Sequence, residues 1–281
     1  MHGIKDKLKN ADAAVVYIMG QSNAHAHAQV LNDDEIIKSG LNRVFTLDYR
    51  IDRSLDKNTL TWRQYTTQYN NLGEHQDNTC TLGCNIAKEW ERRIDSGENL
   101  PDLYIVQISE GCMGILNGQW NMDLENRIKE DAPLYHLALH INKLVYGDLN
   151  KKYKNPMALG FHWIGSESDA VEPFCSDTNF RRIYDKFFDD VIASVGFECP
   201  VFLYRLVHYV NGSAKAKDID MINGIFSEYT KKYDNCSIIS AGDSDLWDDT
   251  AENSGVFTDD KIHYLADTQR YFCRRFFELI K

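Results

Sequence analysis

Strand-length apolar runs alternate with stretches of helical spacing along most of this chain. The first run, Val15–Gly20, is apolar and rich in β-branched residues and ends in a glycine; Val44–Tyr49, Leu103–Ser109, Ala158–Ile164, Val201–Val207 and Ser237–Ser240 follow it. Runs that are continuously apolar suit strands covered on both faces. Between them, Leu82, Ile86, Ala87, Trp90 and Ile94 recur at helical spacing within Thr81–Ile94. So do Leu137, Ile141, Leu144 and Val145 within Leu134–Leu149, and Ile183, Phe187, Phe188, Val191 and Ile192 within Phe180–Val195. Each set predicts a helix with one buried stripe. A more polar helix is expected around Met221–Tyr229, and an amphipathic one, Asp267–Ile280, closes the chain. Strand and helix in repeated alternation predict a mostly parallel α/β sheet with crossover helices on both faces.

Residues 1–281 read as a single domain, because no repeat, low-complexity tract or flexible linker interrupts the pattern. Hydrophobic residues make up 43% and aromatics 12%, enough for a substantial core. The formal net charge of -11 repels phosphate backbones and anionic lipid, so neither nucleic acid nor a membrane surface is an expected partner. The apolar runs fall short of the roughly 20 residues that a membrane helix needs. Met1–Asn10 is polar and mixed in charge, which does not resemble a signal peptide. The expected setting is cytoplasmic for a free-standing protein, or a domain of a secreted or virion-surface protein. Oligomeric state is left open.

The seven cysteines are odd in number and scattered, a pattern of reduced thiols. Cys80 and Cys84 lack further ligands at metal-site spacing, so no metal and no cofactor are expected. Asp52–Asn78 is polar with scattered aromatics and is predicted to be a long functional loop. Trp62, Tyr65, Tyr69 and Trp120 are candidates for stacking on a sugar, with core packing as the alternative.

Candidate chemistry clusters at the predicted strand ends. Ser22 lies two residues beyond Gly20, where a strand delivers a nucleophile to the carboxyl edge of a sheet. A serine hydroxyl reacts only when a base takes its proton and donors receive the oxyanion. The G-x-S-x-G elbow is not met, since Asn23 and Ala24 follow, which disfavours an ordinary α/β-hydrolase. Asp260 and His263 stand three apart, a spacing that lets the carboxylate hold one imidazole nitrogen and leave the other free. The glycines of Gly111-Cys112-Met113-Gly114 suit backbone N–H groups aimed at a ligand. Glu167 and Asp169 follow another strand, and His25 and His27 flank the serine turn, to line a pocket or face solvent.

Together these blocks resemble the sialate and xylan O-acetylesterase branch of the SGNH hydrolases. Gly20-Gln21-Ser22-Asn23 matches its G-Q-S-N block, and Asp260-x-x-His263 its terminal D-x-x-H block. Gly111-Cys112-Met113-Gly114-Ile115 stands where the family often reads G-G-T-S-L, and Trp163–Asp169 resembles its W-x-Q-G-E-S-D. The resemblance implies a three-layer α/β/α sandwich similar to flavodoxin and a metal-independent serine esterase acting on an O-acetylated carbohydrate. It implies Ser22 as nucleophile, His263 as general base and acid, and Asp260 as the orienting acid. The Ser22 and Gly111 N–H groups would form the oxyanion hole, with Gln21, Asn23, Cys112, Ser166 and Glu167 binding substrate or supporting the site.

Two departures stand out. The family's oxyanion-binding glutamine is Gly165 here and the glycine after it is Ser166; Cys112 replaces a second glycine. Loss of one oxyanion donor typically costs about 2.7–4 kcal/mol of transition-state stabilisation. A weakly active carbohydrate-binding or structural module on the same fold, and a serine hydrolase for other acyl esters, are therefore the rival readings. A histidine base also predicts that activity falls on acidification between about pH 8 and 5.

Overall fold

β1 (Ala13–Gly20) is buried along its whole length because its two faces meet two different cores. Ala13, Val15, Tyr17 and Met19 enter one hydrophobic cluster, while Ala14, Val16 and Ile18 enter the other. That division is the period-two pleat of a strand, and a continuous apolar run satisfies both faces. The structure, a computed structural model, describes residues 7–27, 30–48, 55–56, 58–73, 77–116, 118–123, 132–171, 177–207, 216–251 and 254–280.

The remaining strands are β2 (Val44–Leu47), β3 (Trp62–Gln64), β4 (Asp102–Ser109), β5 (Pro156–Ile164), β6 (Val201–Arg205) and β7 (Cys236–Ser240). They form one sheet in the order β3-β2-β4-β1-β5-β6-β7, parallel except for β3, which pairs antiparallel with β2. Helix α1 (Leu82–Asp95) and the C-terminal helix Ala266–Leu279 bury their apolar stripes on one face. The other face is covered by α2 (Leu134–Lys152) and by the helices Asp177–Val195 and Ala216–Lys232. The expected three-layer α/β/α sandwich with a mostly parallel sheet is thus observed. Among the described residues no helix is long and apolar enough to cross a membrane.

Most predicted elements differ only at their ends. The polar helix around Met221–Tyr229 is longer, spanning Ala216–Lys232, and Tyr49 lies outside the described residues. The larger difference is in the predicted loop Asp52–Asn78, of which residues 52–54, 57 and 74–76 are not among those described. It contains β3, an edge strand too short at three residues to show a period. Tyr65 is fully buried. The Trp62 indole N–H donates to Asp148 at 2.7 Å, and its ring meets Tyr104 edge-on at 4.6 Å. Trp120 is also fully buried and donates to the Gly20 carbonyl at 3.0 Å. Tyr65 and Trp120 serve packing, and Trp62, partly exposed like Tyr69, is held by Asp148 and Tyr104. The six described cysteines are free thiols, and Cys175 lies outside the described residues.

The core holds one polar group with a consequence for stability. His162 on β5 is buried between the rings of Phe202 and Phe276; its Nδ1 pairs with the Tyr204 hydroxyl at 3.0 Å. Burial pushes its pKa down to about 3. The native imidazole therefore stays neutral while an unfolded one takes up a proton below about pH 6.5, so acid favours the unfolded chain. At pH 7 the protein is expected to be more stable than His162→Asn. That difference should narrow by about 1.4 kcal/mol per pH unit from about pH 6.5 to 4, measured by chemical denaturation. A difference independent of pH contradicts this reading.

Candidate active site

Three strands end level at the centre of the sheet: Gly20 is paired with Ser109 on β4 and with Ile164 on β5. Two residues beyond each end lie Ser22, Gly111 and Ser166, so the register alone gathers three of the predicted blocks on one edge. Gly20 makes the turn possible. Its φ is +149°, and a Cβ there would lie 1.9 Å from the Ile164 carbonyl oxygen. Gln21 N–H donates to that same carbonyl at 3.0 Å. The chain then coils tightly, with Ala24 N–H donating to Gln21 O at 2.9 Å and His27 N–H to Ser22 O at 3.0 Å. Ser22 emerges half-buried.

The loop before the C-terminal helix supplies the partners. Asp260 Oδ1 accepts from the Thr258 hydroxyl at 2.7 Å and from the N–H groups of Ile262 and His263, each at 2.9 Å. Its Oδ2 lies 2.5 Å from His263 Nδ1, and His263 Nε2 lies 2.9 Å from Ser22 Oγ. Burial acts to raise the Asp260 pKa but is outweighed by these donors, which hold the carboxyl well below the usual range. An ionised Asp260 accepts the Nδ1 proton and leaves the Nε2 lone pair facing the serine hydroxyl. That arrangement can deprotonate Ser22.

Asn23 ties the two ends of the chain together. Its Nδ2 donates to Ile262 O at 3.1 Å and to Glu167 Oε1 at 2.8 Å, and its Oδ1 accepts from Tyr264 N–H at 2.9 Å. Gln269 Nε2 holds the Asn23 carbonyl at 2.8 Å. Glu167 is thus bound to the Ser22 turn through Asn23, and burial raises its carboxyl pKa despite the Asn23 donor. Gln21 does similar work on the other side. Its Oε1 accepts from the N–H groups of Ser166 at 2.8 Å and Ser168 at 3.3 Å.

The departures from the family pattern acquire physical explanations. Ser166 has φ +92°, a backbone glycine adopts freely, and its hydroxyl accepts from the Trp163 indole at 3.0 Å. Ser166 N–H and Oγ are therefore both engaged within the fold. A Cβ on Gly165 would sit 3.2–3.3 Å from Gln21 and Trp163 atoms, so a larger residue requires Gln21 to shift. Cys112 has φ +59° and is exposed, again a conformation that favours glycine. The loop that carries Gly111 and Cys112 is anchored from below by buried Asp169. Its carboxylate accepts from Ile115 and Leu116 N–H at 3.2 and 2.9 Å and from the Tyr184 hydroxyl at 2.6 Å. Burial pushes the Asp169 carboxyl up to about 6. A Cβ on Gly114 would lie 2.3 Å from Asp169 Oδ1, which explains the glycine there.

Sequence reasoning missed Asn71. Its carboxamide accepts from Ser109 N–H at 2.8 Å and donates to Ser109 O at 2.9 Å, extending the edge of β4 next to Gly111. A single asparagine in a polar stretch carried no signal of this. Among the described residues, no group of three or more His, Cys, Asp or Glu side chains is placed to hold a metal ion.

No protein-family model and no curated protein sequence matches the chain. Solved structures do. A protein from Arabidopsis thaliana superposes with a TM-score of 0.61 at 12% identity, over 94% of this chain and 98% of that one. NanS gives a TM-score of 0.61 at 15% identity, over 96% of this chain and 97% of its own. A carbohydrate acetylesterase from Xanthomonas citri gives 0.54 at 15% identity, over 94% of this chain and 55% of that longer one. With its mostly parallel seven-stranded sheet between two helical layers, the chain has the SGNH hydrolase-like fold.

Proposed function

We propose that this chain is a serine ester hydrolase that removes O-acetyl groups from an acetylated carbohydrate. The observation that carries the reading is the relay Asp260–His263–Ser22, closed at 2.5 and 2.9 Å between residues 241 positions apart. Ser22 Oγ attacks the acetyl carbonyl as His263 Nε2 takes its proton. The N–H groups of Ser22 and Gly111 receive the oxyanion. Collapse expels the sugar oxygen, which takes the proton from His263, and leaves acetyl-Ser22. Water, deprotonated by His263, then releases acetate and regenerates the serine.

The acetyl and carbohydrate parts of the proposal are supported by the four sequence blocks and by the likeness in fold to a carbohydrate acetylesterase. The test is acetate release from an aryl acetate and from a panel of acetylated glycans. Wild-type turnover should fall by about 10⁴-fold or more in Ser22→Ala with the fold retained. A wild type that binds acetylated glycans without releasing acetate would favour the binding-module reading. Preference for long-chain esters would favour an acyl hydrolase of another class.

A further inference from the structure

The Asp260–His263–Ser22 relay holds the imidazole at its two nitrogens, and the Cβ–Cγ bond is its third anchor. Rotation of the ring about that bond carries both nitrogens off their partners and turns the lone pair away from the serine hydroxyl. Besides the two hydrogen bonds, a group packed on a face of the ring resists that rotation. Such a group is present. The His27 ring lies on His263 with centroids 4.8 Å apart and planes at 42°, and the buried His25 meets His27 edge-on at 5.8 Å.

The backbone shows why His27 arrives there. Ala26 is buried with φ +53°, a left-handed conformation that is rare for a residue with a Cβ. It returns the chain so that His27 N–H donates to the carbonyl of Ser22 at 3.0 Å. One turn therefore fixes both the serine and the ring that covers its partner. His27 Nδ1 is buried with no hydrogen-bond partner among the described residues. The contact it makes with His263 is one of ring against ring. Asn23 acts on the backbone of the 258–264 loop at Ile262 and Tyr264, and Glu167 in turn holds the Asn23 amide.

We propose that His27 is a positioning residue that keeps the His263 imidazole in plane with Ser22 and Asp260 by covering one of its faces. This rests on the esterase reading above. A misplaced general base costs up to about 100-fold in rate, so His27→Ala should lower kcat on an aryl acetate about 10- to 100-fold while KM changes less than about twofold. His27→Phe keeps a flat ring and should recover kcat to within about threefold of wild type. A merely structural role would lower thermal stability in both variants and would not separate Ala from Phe in kcat.

A second readout does not need turnover. The proton bridging His263 Nδ1 and Asp260 should give a downfield NMR resonance in the wild type and His27→Phe, and a broadened or displaced one in His27→Ala. Unchanged kcat and resonance in His27→Ala overturn the proposal, as does failure of phenylalanine to restore them. If the wild type releases no acetate, the esterase reading fails, and the resonance still decides the role of His27.

Discussion

Asp260→Asn is expected to lower kcat by about 10⁴-fold while leaving the fold intact. The two carboxylate oxygens have separate duties. Oδ1 alone takes the three bonds that shape the loop, from Thr258, Ile262 and His263 N–H, while Oδ2 faces the His263 ring. An asparagine can keep Oδ1 and its three bonds. Its amide nitrogen, however, donates where Oδ2 accepted, so His263 must present Nδ1 as an acceptor and carry its proton on Nε2. The base then meets Ser22 already protonated. Asp260→Ala, by contrast, removes the loop bonds as well and should lower the melting temperature in addition to the rate. Kinetics and melting curves on both variants separate the two duties. Asparagine activity within tenfold of wild type would contradict the assigned role.

Gly20→Ala is expected to be among the most destabilising single substitutions in the chain. The new Cβ would stand 1.9 Å from the Ile164 carbonyl oxygen, which accepts the Gln21 N–H bond. Relief requires β1 and β5 to part where both are fully buried. A positive-φ backbone adds about 1–3 kcal/mol of strain. With the steric overlap, the loss should exceed about 4 kcal/mol in chemical denaturation. Activity should fall too, because Ser22 and Ser166 are both placed from that junction. A variant within about 1 kcal/mol of wild type would show that the strand ends are more pliant than described.

The central strands were legible because burial on both faces leaves an unmistakable apolar run, and β1 with Gly20 is the clearest case. Ser22 after its strand and the Asp260–His263 pair were legible as local patterns. Their meeting was not, since it depends on a sheet that brings together residues 241 apart. The roles of Asn23, Gln21 and Asn71 are likewise tertiary: each is a lone amide whose partners lie on other elements. Edge strand β3 escaped because three residues carry no period. Ser166 and Cys112 read as departures from a glycine pattern, and only the backbone shows that both keep glycine-like dihedrals despite their side chains.

The most direct test of the central claim is to trap the covalent intermediate. Wild-type protein quenched in acid during turnover of an activated acetyl ester, then digested and examined by mass spectrometry, should carry one acetyl group on the peptide containing Ser22. Ser22→Ala should carry none. Acetate release without any acetyl on Ser22, or an acetyl group on another residue that turns over at the catalytic rate, would contradict the account.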